Sequence, residues 1–147
     1  MLKVRNLDFD LSAPVEGWPF EAIYTVVERG ALPDWRRLAS AILRAPWGTV
    51  ARQVEEVLAM DRPYGTAELF ENLIVAAREE AKAAERSEVA KEVAGLIARS
   101  GLSLREFAKQ IGTSASRLST YTNATVVPSA ALVVRMRRLV GQNPTGD

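Results

Sequence analysis

Cysteine and histidine are both absent from the 147 residues of this chain. Without thiols there is no disulfide framework and no thiolate zinc site. Without imidazole the commonest acid–base group is missing, and the cysteine nucleophiles are gone with the thiols. No Gly-rich phosphate loop follows a strand and no G-x-S-x-G elbow occurs. The chain is therefore expected not to be an enzyme, and to hold no metal and no cofactor. Long apolar runs are missing too, since none nears the roughly twenty residues of a membrane helix. Asp8 and Asp10 stand where a signal peptide would need its apolar stretch. The expectation is a cytoplasmic protein with no membrane partner.

What is present reads as helix almost throughout. Hydrophobic residues make up 48% and charged residues 25%, ordinary values for a globular chain of one domain or two small helical ones. The first dozen residues read as extended or irregular, with Pro14, Gly17 and Pro19 interrupting the chain. From Pro19, residues Phe20, Ile23, Tyr24 and Val27 follow the i, i+3, i+4, i+7 spacing of one helical face, and Gly30 is placed to end it. Trp35, Leu38, Ala39 and Ile42 repeat the pattern before Pro46 closes it. Val50, Val54, Val57 and Leu58 form a third stripe. "DRPYG" is turn chemistry, after which Thr66 is placed to cap a further helix. Trp18, Trp35, Trp47, Tyr24 and Tyr64 are read as core, with a ligand-pocket lining as the other reading.

The fourth helix is long. Phe70, Leu73, Ile74 and Ala77 give it an apolar face, and then "AREEAKAAERSEVAKEV" supplies strong helix formers without a proline or glycine. Two readings stay open for this run: a solvated connector, or a dimer seam whose alanines permit close approach. Charge changes along it. Eleven basic residues face fourteen acidic ones through Arg86, a net of −3, whereas from Ser87 onward eight basic residues face four acidic ones, a net of +4. A near-neutral chain carries a basic C-terminal part.

That part contains an unusual passage. Gly112 to Ser129, "GTSASRLSTYTNATVVPS", holds eight serines and threonines between strongly helical flanks. Ser103 and Glu106 form an S-x-x-E capping box that starts a short helix bearing Leu104, Phe107, Ala108 and Ile111 on one face. Gly112 breaks it, and Ser114 is placed to cap a second short helix. Leu118 and Tyr121 lie three apart on that helix and face inward. Ala115, Ser116, Arg117, Ser119 and Thr120 surround its outward side. Two short helices about a glycine turn, the second slim and polar outside, meet the requirements of a helix-turn-helix.

Here the sequence resembles the phage-repressor-like, Xre or Cro-type, helix-turn-helix family over about Glu88 to Val140. The matching features are Phe107-Ala108, Ile111-Gly112 at the turn, Leu118 and Tyr121, and Pro128-Ser129 opening the next helix. The resemblance implies that Ser114 to Thr122 is the recognition helix and that Ala115, Ser116, Arg117, Ser119 and Thr120 reach bases and nearby phosphates. The sequence departs from the family pattern in three places. Ala115 and Ser116 stand where a glutamine is frequent, and offer at most a thymine-methyl contact or one hydroxyl bond. Asn123-Ala124 replaces the glycine that usually follows the helix, so Asn123 is expected to supply the left-handed turn. "GQNPTGD" reads as a tail in place of a fifth helix.

The candidate DNA-binding residues are Ser103, Ser114, Ala115, Ser116, Arg117, Ser119, Thr120, Ser129, Arg135 and Arg138. Arg117 suits a guanine or a phosphate. Ser119 and Thr120 suit DNA or simple hydration. Ser103 and Ser129 are caps whose helix N-termini can present N–H groups to phosphates. Arg135 and Arg138, three apart, suit a phosphate clamp or a solvated face. The expected architecture is all-α: an N-terminal helical region, residues 1–86, joined by a long helix to a DNA-binding domain, residues 87–147. The expected partners are double-stranded DNA and a second copy of the chain. Two functional readings remain: a dimeric repressor, or an antitoxin-type protein whose N-terminal region masks a toxin while its DNA binding is autoregulatory.

Overall fold

The structure, a computed structural model, describes residues 9–142 of the chain. Among the described residues there are seven α-helices and no strand. In chain order they are α1 (Phe20–Arg29), α2 (Leu32–Arg44), α3 (Thr49–Met60), α4 (Thr66–Ser100), α5 (Leu104–Ile111), α6 (Ala115–Thr122) and α7 (Ala130–Gln142). Contacts divide the chain into two compact units with a boundary at Ala81–Lys82, inside α4. The boundary read from the sequence, Arg86–Ser87, falls in the same helix. Among the described residues no helix is long and apolar enough to cross a membrane.

Unit 1 packs α1, α2, α3 and the first half of α4. Ile23, Val26 and Val27 of α1, Leu38 and Ile42 of α2, Val54 and Val57 of α3, and Phe70 and Ile74 of α4 form its buried core. Each set repeats at helical spacing, so burying one stripe per helix fixes how the helix is rotated. A short 3-10 turn, Val15–Gly17, precedes α1 and was not anticipated from the sequence. It brings Trp18 into the core, where the indole N–H donates to the Ala13 carbonyl at 2.8 Å. The Arg37 guanidinium stacks 4.8 Å over the Trp18 ring and donates to the carbonyls of Leu11 and Ala13. One arginine thereby ties two loop carbonyls and the face of the Trp18 ring together.

Not every aromatic goes inside. Trp35 and Tyr24 are half-buried, and their polar atoms bond to Val26 O and Asp61 respectively. Trp47 is 45% exposed and Tyr64 is fully exposed, so the core reading is corrected for both. Neither belongs to a helical stripe: Trp47 lies in the turn before α3 and Tyr64 in the turn before α4. Thr66 is likewise the first residue of α4 rather than its cap, since Gly65 O already accepts from the Leu69 N–H.

Unit 2 is built from the second half of α4 with α5, α6 and α7. Its core comprises Val93, Leu96, Phe107, Ala108, Ile111, Leu118, Tyr121, Leu132 and Met136. Arg137 of α7 donates through Nε, at 2.9 Å, and through Nη2 to the Glu92 carboxylate of α4, clasping the two helices at the surface. Ser100 closes α4: its hydroxyl donates to Ile97 O and accepts the Leu102 N–H. Helix α7 continues through Gln142, so Gly141 and Gln142 are helical rather than part of a tail. The remainder of that expected tail, residues 143–147, lies outside the described residues, as do residues 1–8 of the expected irregular N-terminus.

Candidate nucleic-acid interface

Three serines start three consecutive helices. Ser103 Oγ accepts the Glu106 N–H, Ser114 Oγ the Arg117 N–H and Ser129 Oγ the Leu132 N–H, each at 3.1 Å. Each hydroxyl satisfies one of the orphan donors of a helix start, which stabilises the helix by about 1 kcal/mol. All three serines are exposed. The capping box at Ser103 is only half formed: the Glu106 carboxylate accepts from Gln110 instead of reaching back.

The turn between α5 and α6 depends on Gly112, which adopts φ 82° in the left-handed region. Its N–H bonds Lys109 O and the Thr113 N–H bonds Ala108 O, the paired bonds of a Schellman end. Arg135 reaches across from α7 and donates to Ile111 O at 3.3 Å, satisfying another carbonyl of the same helix end. Its guanidinium is thus held beside the turn, immediately before the α6 cap. Arg138, one helical turn farther along α7, is exposed and makes no side-chain bond or ion pair among the described residues.

Helix α6 divides sharply. Leu118 and Tyr121 are buried against the core of unit 2, with Leu118 at 0% exposure. Ser116, Arg117 and Ser119 are exposed, and Ala115 and Thr120 are half-buried at the edges. The Thr120 hydroxyl donates to Arg117 O at 2.6 Å, leaving only its lone pairs for an outside partner. Thr122 is occupied in the same way on Ser119 O. Among the described residues the Arg117 side chain has no hydrogen-bond or ion-pair partner, and α6 carries no acidic residue. A bare guanidinium flanked by two small hydroxyls is a donor-rich surface narrow enough for a groove.

The helix end differs from the expectation. Asn123 has φ −94°, outside the left-handed region, and Ala124 takes the left-handed geometry at φ 63°. The Ala124 N–H to Tyr121 O and the Thr125 N–H to Thr120 O bonds again form a Schellman end. Asn123 serves differently: its Oδ1 accepts from the N–H and hydroxyl of Thr125, bracing the loop. Arg105 is exposed in the first turn of α5, close in sequence to the Ser103 cap. A cation there opposes the helix dipole by a few tenths of a kcal/mol, about 0.3–1 at most.

Residues 76–145, slightly less than half of the chain, match the model of the helix-turn-helix domain family. The C-terminal part of the protein is a helix-turn-helix domain, and the matched stretch holds α5, the Gly112 turn and α6. No curated protein and no solved structure matches the chain.

Proposed function

We propose that the protein, whose C-terminal unit is a helix-turn-helix domain, is a sequence-specific transcriptional regulator. It acts in the cytoplasm as a dimeric repressor and reads the major groove with α6. One observation carries the reading: Arg117, unpartnered on the outer face of α6, stands between two exposed serines. A guanidinium offers two parallel donors to the O6 and N7 of guanine, the commonest specific contact to a base edge. Ser103, Ser114 and Ser129 mark helix starts whose free N–H groups suit backbone phosphates, and Arg105, Arg135 and Arg138 supply charge. A single slim helix reads few base pairs, so a two-fold pair of chains is needed for a site of useful specificity.

Arg117→Ala tests the assignment on a randomised operator library at two salt concentrations. If Arg117 pairs with guanine, affinity falls by about 1–3 kcal/mol and preference relaxes at one position per half-site. Unchanged affinity, salt slope and preference would remove α6 from the interface. Unit 1 exposes Leu32, Met60, Leu69 and Val75, which is surface for a protein partner. In the regulator reading that partner is a second copy. In the antitoxin-type reading it is a toxin, which would co-purify tightly as the product of a neighbouring gene.

A further inference from the structure

We infer that the face formed by α3 and the first half of α4 is where a second copy of this chain docks, in an arrangement dictated by four charges at its corners. The inference rests on the dimeric part of the proposed function. Between these helices runs a groove of about 550 Å³, room for several aliphatic side chains. Leu58 and Ile74 are buried at its floor, and Ala59 and Val75 stand exposed along its edges, Val75 at 62%. An exposed valine beside an open apolar groove is a knob and a hole on one face, the pairing a self-associating surface needs.

The charges choose the occupant. Glu55 lies on α3 and Arg62 in the turn just past its end, and Glu71 and Arg78 are two turns apart on α4. Arg78 pairs with Glu55 and Arg62 with Glu71, so the helices run antiparallel and one ion pair closes each end of the groove. The four corners therefore alternate in sign both along the groove and across it. A two-fold axis in the plane of this face can run along the groove or across it, whereas a diagonal axis would set like charge over like. Either choice sets every glutamate over an arginine of the other copy. Isologous interfaces require that self-complementarity, whereas a corner set of one sign would repel itself. The intrachain pairs already restrain the four side chains, so docking orders them at small further entropic cost.

Two variants of the full-length chain test this by sedimentation velocity over a concentration series. Val75→Arg places a charge where the knob enters. Its melting should stay as in the parent chain, while the dimer dissociation constant rises about a hundredfold. The second variant exchanges all four corners: Glu55→Arg, Arg62→Glu, Glu71→Arg and Arg78→Glu. Every intrachain pair is kept and the variant should dimerise with itself. Mixed with the parent chain it sets like charge over like under either axis, so differently tagged chains should not co-purify. Free mixing of the two, a Val75→Arg dimer as tight as the parent, or a parent chain that is monomeric throughout, each overturns the inference. Binding of the same samples to the randomised duplex library separates the two claims. A parent that dimerises and binds DNA while the Val75→Arg dimer stays as tight sinks this face alone. A monomeric parent that binds DNA sinks the face together with the dimeric part of the proposed function. A dimer on this face that binds no DNA sinks the regulator reading alone.

Discussion

Ala124 holds a backbone conformation that favours glycine. The left-handed region brings its Cβ close to the neighbouring carbonyl, at roughly 1–2 kcal/mol. The two Schellman bonds at the end of α6 and the Asn123–Thr125 bracing hold the residue there regardless. Ala124→Gly should therefore stabilise the protein by about 0.5–1 kcal/mol, the relief being partly offset by glycine's greater freedom when unfolded. Urea unfolding followed through unit 2 measures it, and a loss of stability would show that the methyl group makes a contact of its own. Arg135 also has a role fixed at this scale. Because it donates to Ile111 O, Arg135→Ala should lower stability by about 1 kcal/mol. It should also make the salt slope of DNA binding shallower by about one unit if the guanidinium holds a phosphate. A shallower slope with unchanged melting would mean that the internal bond contributes nothing.

Helices α5 and α6 are eight residues each, too short to persist in water by themselves. Their existence depends on burial, and for α6 that burial comes from Leu118 and Tyr121. Leu118→Asp should consequently unfold unit 2, since an unpaired carboxylate in that site costs roughly several kcal/mol. Intact DNA binding and unchanged melting would mean that the helix is rotated away from the position described here. These inward residues were readable beforehand because i and i+3 spacing leaves one face in a short helix. The serine caps were equally readable, since hydroxyl acceptance of a nearby N–H is a local event. Long-range facts were not. Neither the Arg37 clasp on Trp18 nor the Arg135 bond to Ile111 leaves a trace in spacing, because each joins residues distant in the chain. Turn aromatics misled for a related reason: Trp47 and Tyr64 have hydrophobic rings but no helical stripe to assign them a side. The left-handed residue was misplaced by one because propensity favours asparagine, while the hydrogen-bond pattern that closes α6 counts positions.

At the scale of the whole molecule, two buried cores with no residue in common are strung on one helix. If oligomerisation belongs to unit 1, a fragment comprising residues 82–147 should sediment as a monomer and keep its helical circular dichroism. A fragment that dimerises as tightly as the intact chain would reverse the assignment of roles. The stretch shared by neither core is the more revealing one. Between Ala81 and Val89 every side chain is exposed except the half-buried Arg86. Helix in this stretch is sustained by alanine, glutamate, lysine and arginine propensity, without packing. Its amide hydrogens should exchange with deuterium well ahead of those in the flanking turns of the same helix, because local opening here exposes no apolar surface. Lys82 and Arg86 lie within it, so brief trypsin treatment of the folded protein should cut there first and release both halves still folded.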